Sequence, residues 1–185
     1  LLSRRQRQMC IRDRFNPETG EFVRAYGGQG YTEGSSWTRG QGWGVYGFMI
    51  SYIHTGKQEY FDTAKRIAHY IMANIPDSGI IPVDFRQPKE PAWEDSCAAC
   101  VIANGLIEIA KHVPELEKDM YIRAAVKILK AIDKTRANWG TDCDSIVLNC
   151  TGAYHSPDHH FTMVYADFYF IEAVLKLRGN DYFMW

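Results

Sequence analysis

The chain has no run of eighteen or more apolar residues among its 185, so no stretch is long and greasy enough to cross a bilayer as a helix. It also lacks an excess of positive charge. Lys and Arg total 21 against 22 Asp and Glu, and five of the arginines crowd into the opening LLSRRQRQMCIRDR. Setting that segment aside leaves 16 basic and 21 acidic residues, a charge of −5. No basic field remains to neutralise phosphates, which argues against nucleic acid as a partner. An anionic small ligand then depends on individual arginines.

Cysteine is scarce and badly spaced for chemistry. There are five, an odd number, and Cys10 falls in the opening segment. Cys97 and Cys100 form a C-x-x-C pair inside the nearly continuous apolar run DSCAACVIANGLIEIA, and Cys143 and Cys150 stand seven apart. Zinc or redox work needs an exposed thiol at a helix start or a second close pair. These thiols are expected to be small core side chains, with no disulfide framework and no metal site.

The opening segment lacks the apolar stretch and small-residue cleavage site of a signal peptide. It also lacks any helical or strand period. It resembles the translated sequencing-adapter peptide found at the ends of gene fragments; the alternative is a disordered basic arm. Residues 1–14 are therefore read as non-native or disordered, and 15–185 as the domain.

Against these deficits, aromatics are abundant at 14%, with eleven Tyr and five Trp. Such rings fill cores or stack on sugar faces. Five helical segments stand out, and their character alternates. Residues 58–75 carry an apolar stripe at 60, 61, 64, 67, 68, 71 and 75, and residues 117–136 carry one through Met120, Tyr121, Ala124, Ala125, Ile128, Leu129 and Ile132. Residues 37–54 are aromatic and glycine-rich, 95–112 are apolar nearly all round, and 163–177 are apolar on most faces. A striped helix faces solvent on one side and an all-apolar one must be covered all round, so the order is inner, outer, inner, outer, inner.

YGFMISYI, ANGLIEIA and FYFIEAVL recur at intervals of about sixty residues, the mark of stacked helical hairpins. Two and a half hairpins do not close a ring, and six would need about 360 residues. Uncovered apolar flanks are expected on the terminal inner helices. The short β-prone runs EFVRAY, GIIPVDF and SIVLN precede inner helices. Their loops should gather at one end, beside the inner-helix N-termini, where a site is expected.

The segment GSSWTRGQGWGVYGF opens the first inner helix. Gly40, Gly44 and Gly47 share a helical face, which predicts close approach of a backbone or ligand there. Arg39 and Trp43 are four apart and share another face. One reading is a carboxylated sugar gripped by Arg39 at a helix N-terminus, with Trp43 as platform. The other is a tightly packed inner helix, with Arg39 paired to a structural acid such as Glu33 or Asp95. Spacing alone leaves both open.

This segment, with HTGKQEYFDTAKRIAHYI, EDSCAACVIANGLIEIA and SPDHHFTMVYADFYFIEAVLKL, resembles the C-terminal half of glycoside hydrolase family 88, the unsaturated glucuronyl hydrolases. The similarity runs from about Phe15 to about Leu177. It implies an all-α fold, part of an (α/α)6 toroid of about the last three of six hairpins, with short β-hairpin loops on the active-site side. It implies removal of a 4,5-unsaturated uronic acid from the non-reducing end of lyase products: an aspartic acid protonates the enol-ether double bond while water adds, and the hemiketal opens. No metal or organic cofactor is implied. The resemblance places Arg39, Trp43 and Gln29, the last in GGQGYTEG, at the substrate site.

It also implies what is missing. The family's two catalytic aspartates lie in the N-terminal half, and its active-site histidine precedes the FNPETG-like turn, where the opening segment stands here. No catalytic residue is therefore assigned; the chain alone is expected to be inactive and poorly stable, with its own N-terminal half and an unsaturated oligosaccharide as partners. Asp95 and Asp167 also lie near inner-helix starts, where capping is the ordinary role of aspartate. YHSPDHH offers His155, Asp158, His159 and His160 for a metal or, more simply, a solvated polar loop, with Tyr154 and His155 near the rim of the sugar site. The rivals are an unsaturated rhamnogalacturonyl hydrolase on the same toroid and a helical module that binds acidic glycans without catalysis. A sugar isomerase would want histidines at inner-helix starts, and none stands there. The compartment is open between bacterial cytoplasm and periplasm.

Overall fold

The computed structural model describes residues 14–24 and 28–180. Residues 1–13, nearly all of the segment read as foreign, lie outside the described residues. A short hairpin comes first: β1 (Arg14–Phe15) pairs antiparallel with β2 (Phe22–Arg24), so the boundary drawn at residue 14 falls inside a strand. The turn between them is built by Asn16, whose side chain accepts from the Glu18 N–H at 2.8 Å. Gly20 closes it at a φ of 71°, a conformation that glycine adopts without steric cost.

Five helices follow: α1 (Thr38–Thr55), α2 (Gln58–Asn74), α3 (Ser96–His112), α4 (Glu115–Thr135) and α5 (Val164–Leu177). Their bounds match the periodicity to within a few residues. Gly56, at a φ of 68°, ends α1 by donating its N–H to the Tyr52 carbonyl, the left-handed stop expected of glycine.

The alternation of inner and outer helices holds. In α3 every residue from Ser96 to Ala110 is buried, because α1, α2, α4 and α5 all pack against it. Outer α2 buries Phe61, Ala64, Ile67, Ala68 and Ile71, and outer α4 buries Tyr121, Ala125, Ile128, Leu129 and Ile132. Met120, counted into the α4 stripe, is exposed instead, at the edge of the helix face. Replacing Ile71 or Ile128 by Ala would cost about 2–5 kcal/mol, the usual toll of a buried cavity. On α5, by contrast, Val164, Ile171, Val174, Leu175 and Leu177 are exposed. This is the uncovered flank expected of an open array.

The glycine face needs correction at Gly47. Added methyl groups would meet Val101 and Ile102 at 3.3 Å from Gly42, and at Gly105 would collide with the Val45 side chain and lie 3.1 Å from the Tyr46 nitrogen. Those two glycines set the close α1–α3 approach. Gly47 has nothing within 4 Å. An all-apolar helix gives no pattern from which its rotation can be read.

The three inner helices are also tied by buried charge. Lys176 on α5 lies 3.0 Å from Glu108 on α3 and 3.2 Å from Glu172 on its own helix. Tyr46 on α1 donates to Glu172 at 2.6 Å and accepts from Lys176 at 2.9 Å. Burial, then the hydrogen bond to Glu172, pushes the Tyr46 phenol far above its ordinary pKa, so it stays a donor.

Cys97, Cys100 and Cys150 are buried free thiols, and Cys143 is exposed. Cys10 lies outside the described residues.

Candidate functional site

The loops ahead of the inner helices meet at one end of the array. Thr38 donates its backbone N–H to the Val83 carbonyl at 2.9 Å, and Ser96 donates its own to Asn149 O at 3.1 Å. Isolated bridges pair Trp37 with Asp84, Pro82 with Glu94, and Cys150 with Phe161. The runs GIIPVDF and SIVLN lie in this lacework, while Phe22–Arg24 of EFVRAY form β2 and the end of that run lies outside the described residues. The N-terminus of α1 offers fewer free donors than its position suggests, since the Thr38 N–H is already taken.

Arg39 sits at the centre, only 3% exposed. Its Nε and Nη2 donate to the two oxygens of Asp95 at 2.8 and 2.7 Å, a bidentate fork. Nη2 also donates to the Thr151 carbonyl at 2.8 Å, and Nη1 to the Tyr165 hydroxyl at 2.9 Å. Burial alone would make the guanidinium easier to deprotonate. The charge and hydrogen bonds of Asp95 outweigh that, so Arg39 is held even more firmly protonated than usual. Of the two partners open at the sequence level, the structure selects Asp95 over Glu33.

Trp43, one turn along α1, is half-buried. The ring of Tyr169 meets it edge-on at 5.5 Å, and Tyr165 lies tilted at 6.3 Å. Gln29 approaches from the loop before α1. Its Nε2 donates to the Gly152 carbonyl at 3.2 Å, next to the Thr151 carbonyl that Arg39 holds, and its own carbonyl accepts from the Tyr154 N–H at 2.9 Å. All three predicted residues are therefore neighbours. Arg39 and Trp43 converge through Tyr165, and Arg39 and Gln29 through successive carbonyls of one loop.

Comparison with known proteins adds the decisive observation. No protein-family model matches the chain. The unsaturated glucuronyl hydrolase of Bacillus sp. (strain GL1) is 37% identical over 172 residues, covering 89% of this chain and 45% of that protein. An unsaturated chondroitin disaccharide hydrolase of Streptococcus pneumoniae is 29% identical over 177 residues, covering 92% and 44%. The solved Bacillus sp. GL1 unsaturated glucuronyl hydrolase, described as responsible for glycosaminoglycan degradation, superposes with a TM-score of 0.80 at 33% identity over 95% of this chain and 50% of that one. A Streptococcus agalactiae unsaturated glucuronyl hydrolase mutant complexed with dGlcA-GalNAc6S gives 0.81 at 26% identity, over 92% and 47%.

Relatives and solved structures named unsaturated glucuronyl hydrolase thus match nearly the whole of this chain. It spans about half the length of the curated relatives it matches, and its five helices form a partial toroid. Both aspartates near the inner-helix starts carry structural hydrogen bonds. Asp95 caps α3 by accepting from the Cys97 N–H at 3.2 Å, as expected, while holding Arg39. Asp167 does not cap α5, which starts after Met163; it accepts from the Val147 N–H at 2.6 Å and pins the 145–149 run.

The YHSPDHH loop is more ordered than a plain solvated loop. His159 stacks on Trp93 with ring centres 3.9 Å apart, and His155 shares a 2.7 Å hydrogen bond with the Tyr31 carbonyl. Tyr154 is buried against Tyr31 and donates to the Pro91 carbonyl at 3.2 Å. Among the described residues no group of three or more His, Cys, Asp or Glu side chains is placed to hold a metal ion.

Two site residues went unnoticed in the sequence. Asp84, fully buried, accepts from the Tyr31, Ser36 and Arg86 N–H groups and from the Ser35 hydroxyl, and so organises the loop ahead of Arg39. Its signal was an aspartate inside the apolar run GIIPVDF, a buried charge in need of donors. Tyr165 gave no signal beyond being one tyrosine among eleven.

Proposed function

We propose that this chain is the C-terminal half of a hydrolase that removes a 4,5-unsaturated uronic acid from the non-reducing end of lyase-generated oligosaccharides by hydrating its enol-ether bond. The observation that carries this reading is the convergence of Arg39, Trp43 and Gln29 at the loop end of a partial toroid, together with the Bacillus relative at 37% identity. Trp43 offers the sugar ring an aromatic platform, Arg39 places a fixed positive charge behind the uronate carboxylate, and Gln29 holds the loop that closes the wall.

The acid that protonates the double bond is supplied by the remainder of the protein, since Asp95 is locked in the pair with Arg39 and Asp167 accepts from the Val147 N–H. That remainder also covers the apolar flank of α5. A groove of about 460 Å³ runs between α4 and α5, lined by Leu129, Trp139, Phe170, Ile171, Val174 and Leu177, and it suits the packing of a further outer helix.

The test is to express the reading frame extended upstream of Phe15 and to follow the ultraviolet absorbance of unsaturated glucuronyl disaccharides. Loss of absorbance with release of the uronate supports the reading. Turnover restricted to unsaturated rhamnogalacturonan fragments moves the substrate to the rival class. A cooperative melt and saturable uronate binding by residues 15–185 alone, without turnover by the longer protein, marks a binding module instead.

A further inference from the structure

Arg39 is placed to orient a carboxylate but poorly placed to grip one. Asp95 occupies one full edge of its guanidinium and Thr151 the second Nη2 hydrogen. Of its five N–H donors, only one on Nη1 has no acceptor among the described residues. At 3% exposure the group has almost no surface to offer.

Tyr165 is the outward face of this cluster. It lies in the first turn of α5, 37% exposed, with its ring 5.8 Å from the Arg39 guanidinium carbon and 6.3 Å from the Trp43 ring. Its hydroxyl oxygen accepts from Arg39 at 2.9 Å, while its own hydrogen has no acceptor among the described residues. A phenol that accepts from a cation is polarised toward donation. Burial raises the phenol above its ordinary pKa against the opposing pull of Arg39, so the proton is retained at neutral pH.

We infer that Tyr165 makes the direct hydrogen bond to the uronate carboxylate on this wall, and that Arg39, locked by Asp95 and Thr151, is a positioning residue behind it. The inference rests on the hydrolase reading above. It adds a substrate-contacting residue from α5 to a wall otherwise read from α1 and its preceding loop, and it gives a role to a hydroxyl hydrogen that has no acceptor among the described residues. The ligand group recognised is an anionic carboxylate. A methyl ester at the same carbon keeps the ring and its stacking on Trp43 but loses the charge.

The experiment compares wild type and Tyr165→Phe in the protein from the extended reading frame, using an unsaturated glucuronyl disaccharide and its methyl ester. The expected result is a KM raised about tenfold or more for the acid, the usual weight of one hydrogen bond to a charged group. kcat should stay within about threefold, and KM for the ester should be unchanged by the substitution. A KM that does not move, or one that rises equally for acid and ester, overturns the assignment while leaving the hydrolase reading intact. Absence of turnover in the wild type overturns both. An unchanged melting temperature in Tyr165→Phe shows that the KM effect is not a loss of fold.

Discussion

Replacing Arg39 by Met tests how this end of the toroid is held together. Arg39 and Asp95 are 3% and 0% exposed, and their two hydrogen bonds join α1 to the start of α3. Methionine fills much of the arginine's volume but leaves a buried carboxylate facing only the Cys97 N–H at 3.2 Å and the Thr151 N–H at 3.4 Å. Removing one partner of a buried pair costs about 3–5 kcal/mol, because the survivor loses both water and its counter-charge. For a domain of this size, that lowers the melting temperature by roughly 6–20 °C. Far-ultraviolet circular dichroism of the 185-residue chain, or of the protein from the extended frame, measures it. The double variant Arg39→Met/Asp95→Asn should recover part of the loss, since the orphaned charge is gone. A single variant within about 1 kcal/mol of wild type, or strict additivity in the double, would refute the claim that Arg39 is first a structural tie.

Four further outcomes follow from the packing and the charges. Gly105→Ala should destabilise by about 1–3 kcal/mol through overpacking against Val45 and Tyr46, whereas Gly47→Ala in the same chain should stabilise by up to about 1 kcal/mol; urea titrations of both distinguish them. Glu94 is pushed up by burial but pulled further down by hydrogen bonds from Arg136 and Asn149, so its folded pKa lies below the unfolded one. Its contribution is therefore full above the ordinary glutamate range and lost as pH falls through the depressed value, and the melting difference between wild type and Arg136→Met should be largest near neutrality and shrink in acid. Burial pushes the Cys150 thiol up to about 12 and raises Cys97 and Cys100 well above the ordinary thiol range. In a Cys10→Ser background, peptide mapping after brief alkylation at neutral pH should find Cys143 labelled and those three protected. Finally, the chain alone should bind a hydrophobic dye through the flank of α5, and Ile171→Lys should weaken that fluorescence without lowering the helical signal.

Periodicity carried most of the architecture. The stripes of α2 and α4 and the fully apolar α3 fix which helices are outer and which inner, and Gly56 marks the end of α1 by its left-handed φ. The open flank of α5 was legible for the same reason: two and a half hairpins have nothing to cover it. What could not be read was rotation and pairing. Gly42 and Gly105 could not be told from Gly47 as contact points, because a helix apolar on every side has no phase. Asp95 stood beside Glu33 as a partner for Arg39, but the two are 56 residues apart and nothing local decides between the acids. Tyr165 and Asp84 owe their importance to loops brought together from distant parts of the chain. The inner-helix charges Glu108, Glu172 and Lys176 find one another by the same route.

The central claim is that this wall belongs to an enzyme that hydrates unsaturated uronides with an acid from outside the described chain. The most direct measurement is turnover of an unsaturated glucuronyl disaccharide by the protein expressed from the frame extended upstream of Phe15, beside the 185-residue chain alone. The account predicts loss of the double-bond absorbance with the longer protein and none with the chain. Turnover by the chain alone, or a well-folded longer protein that leaves every unsaturated uronide untouched, would contradict it.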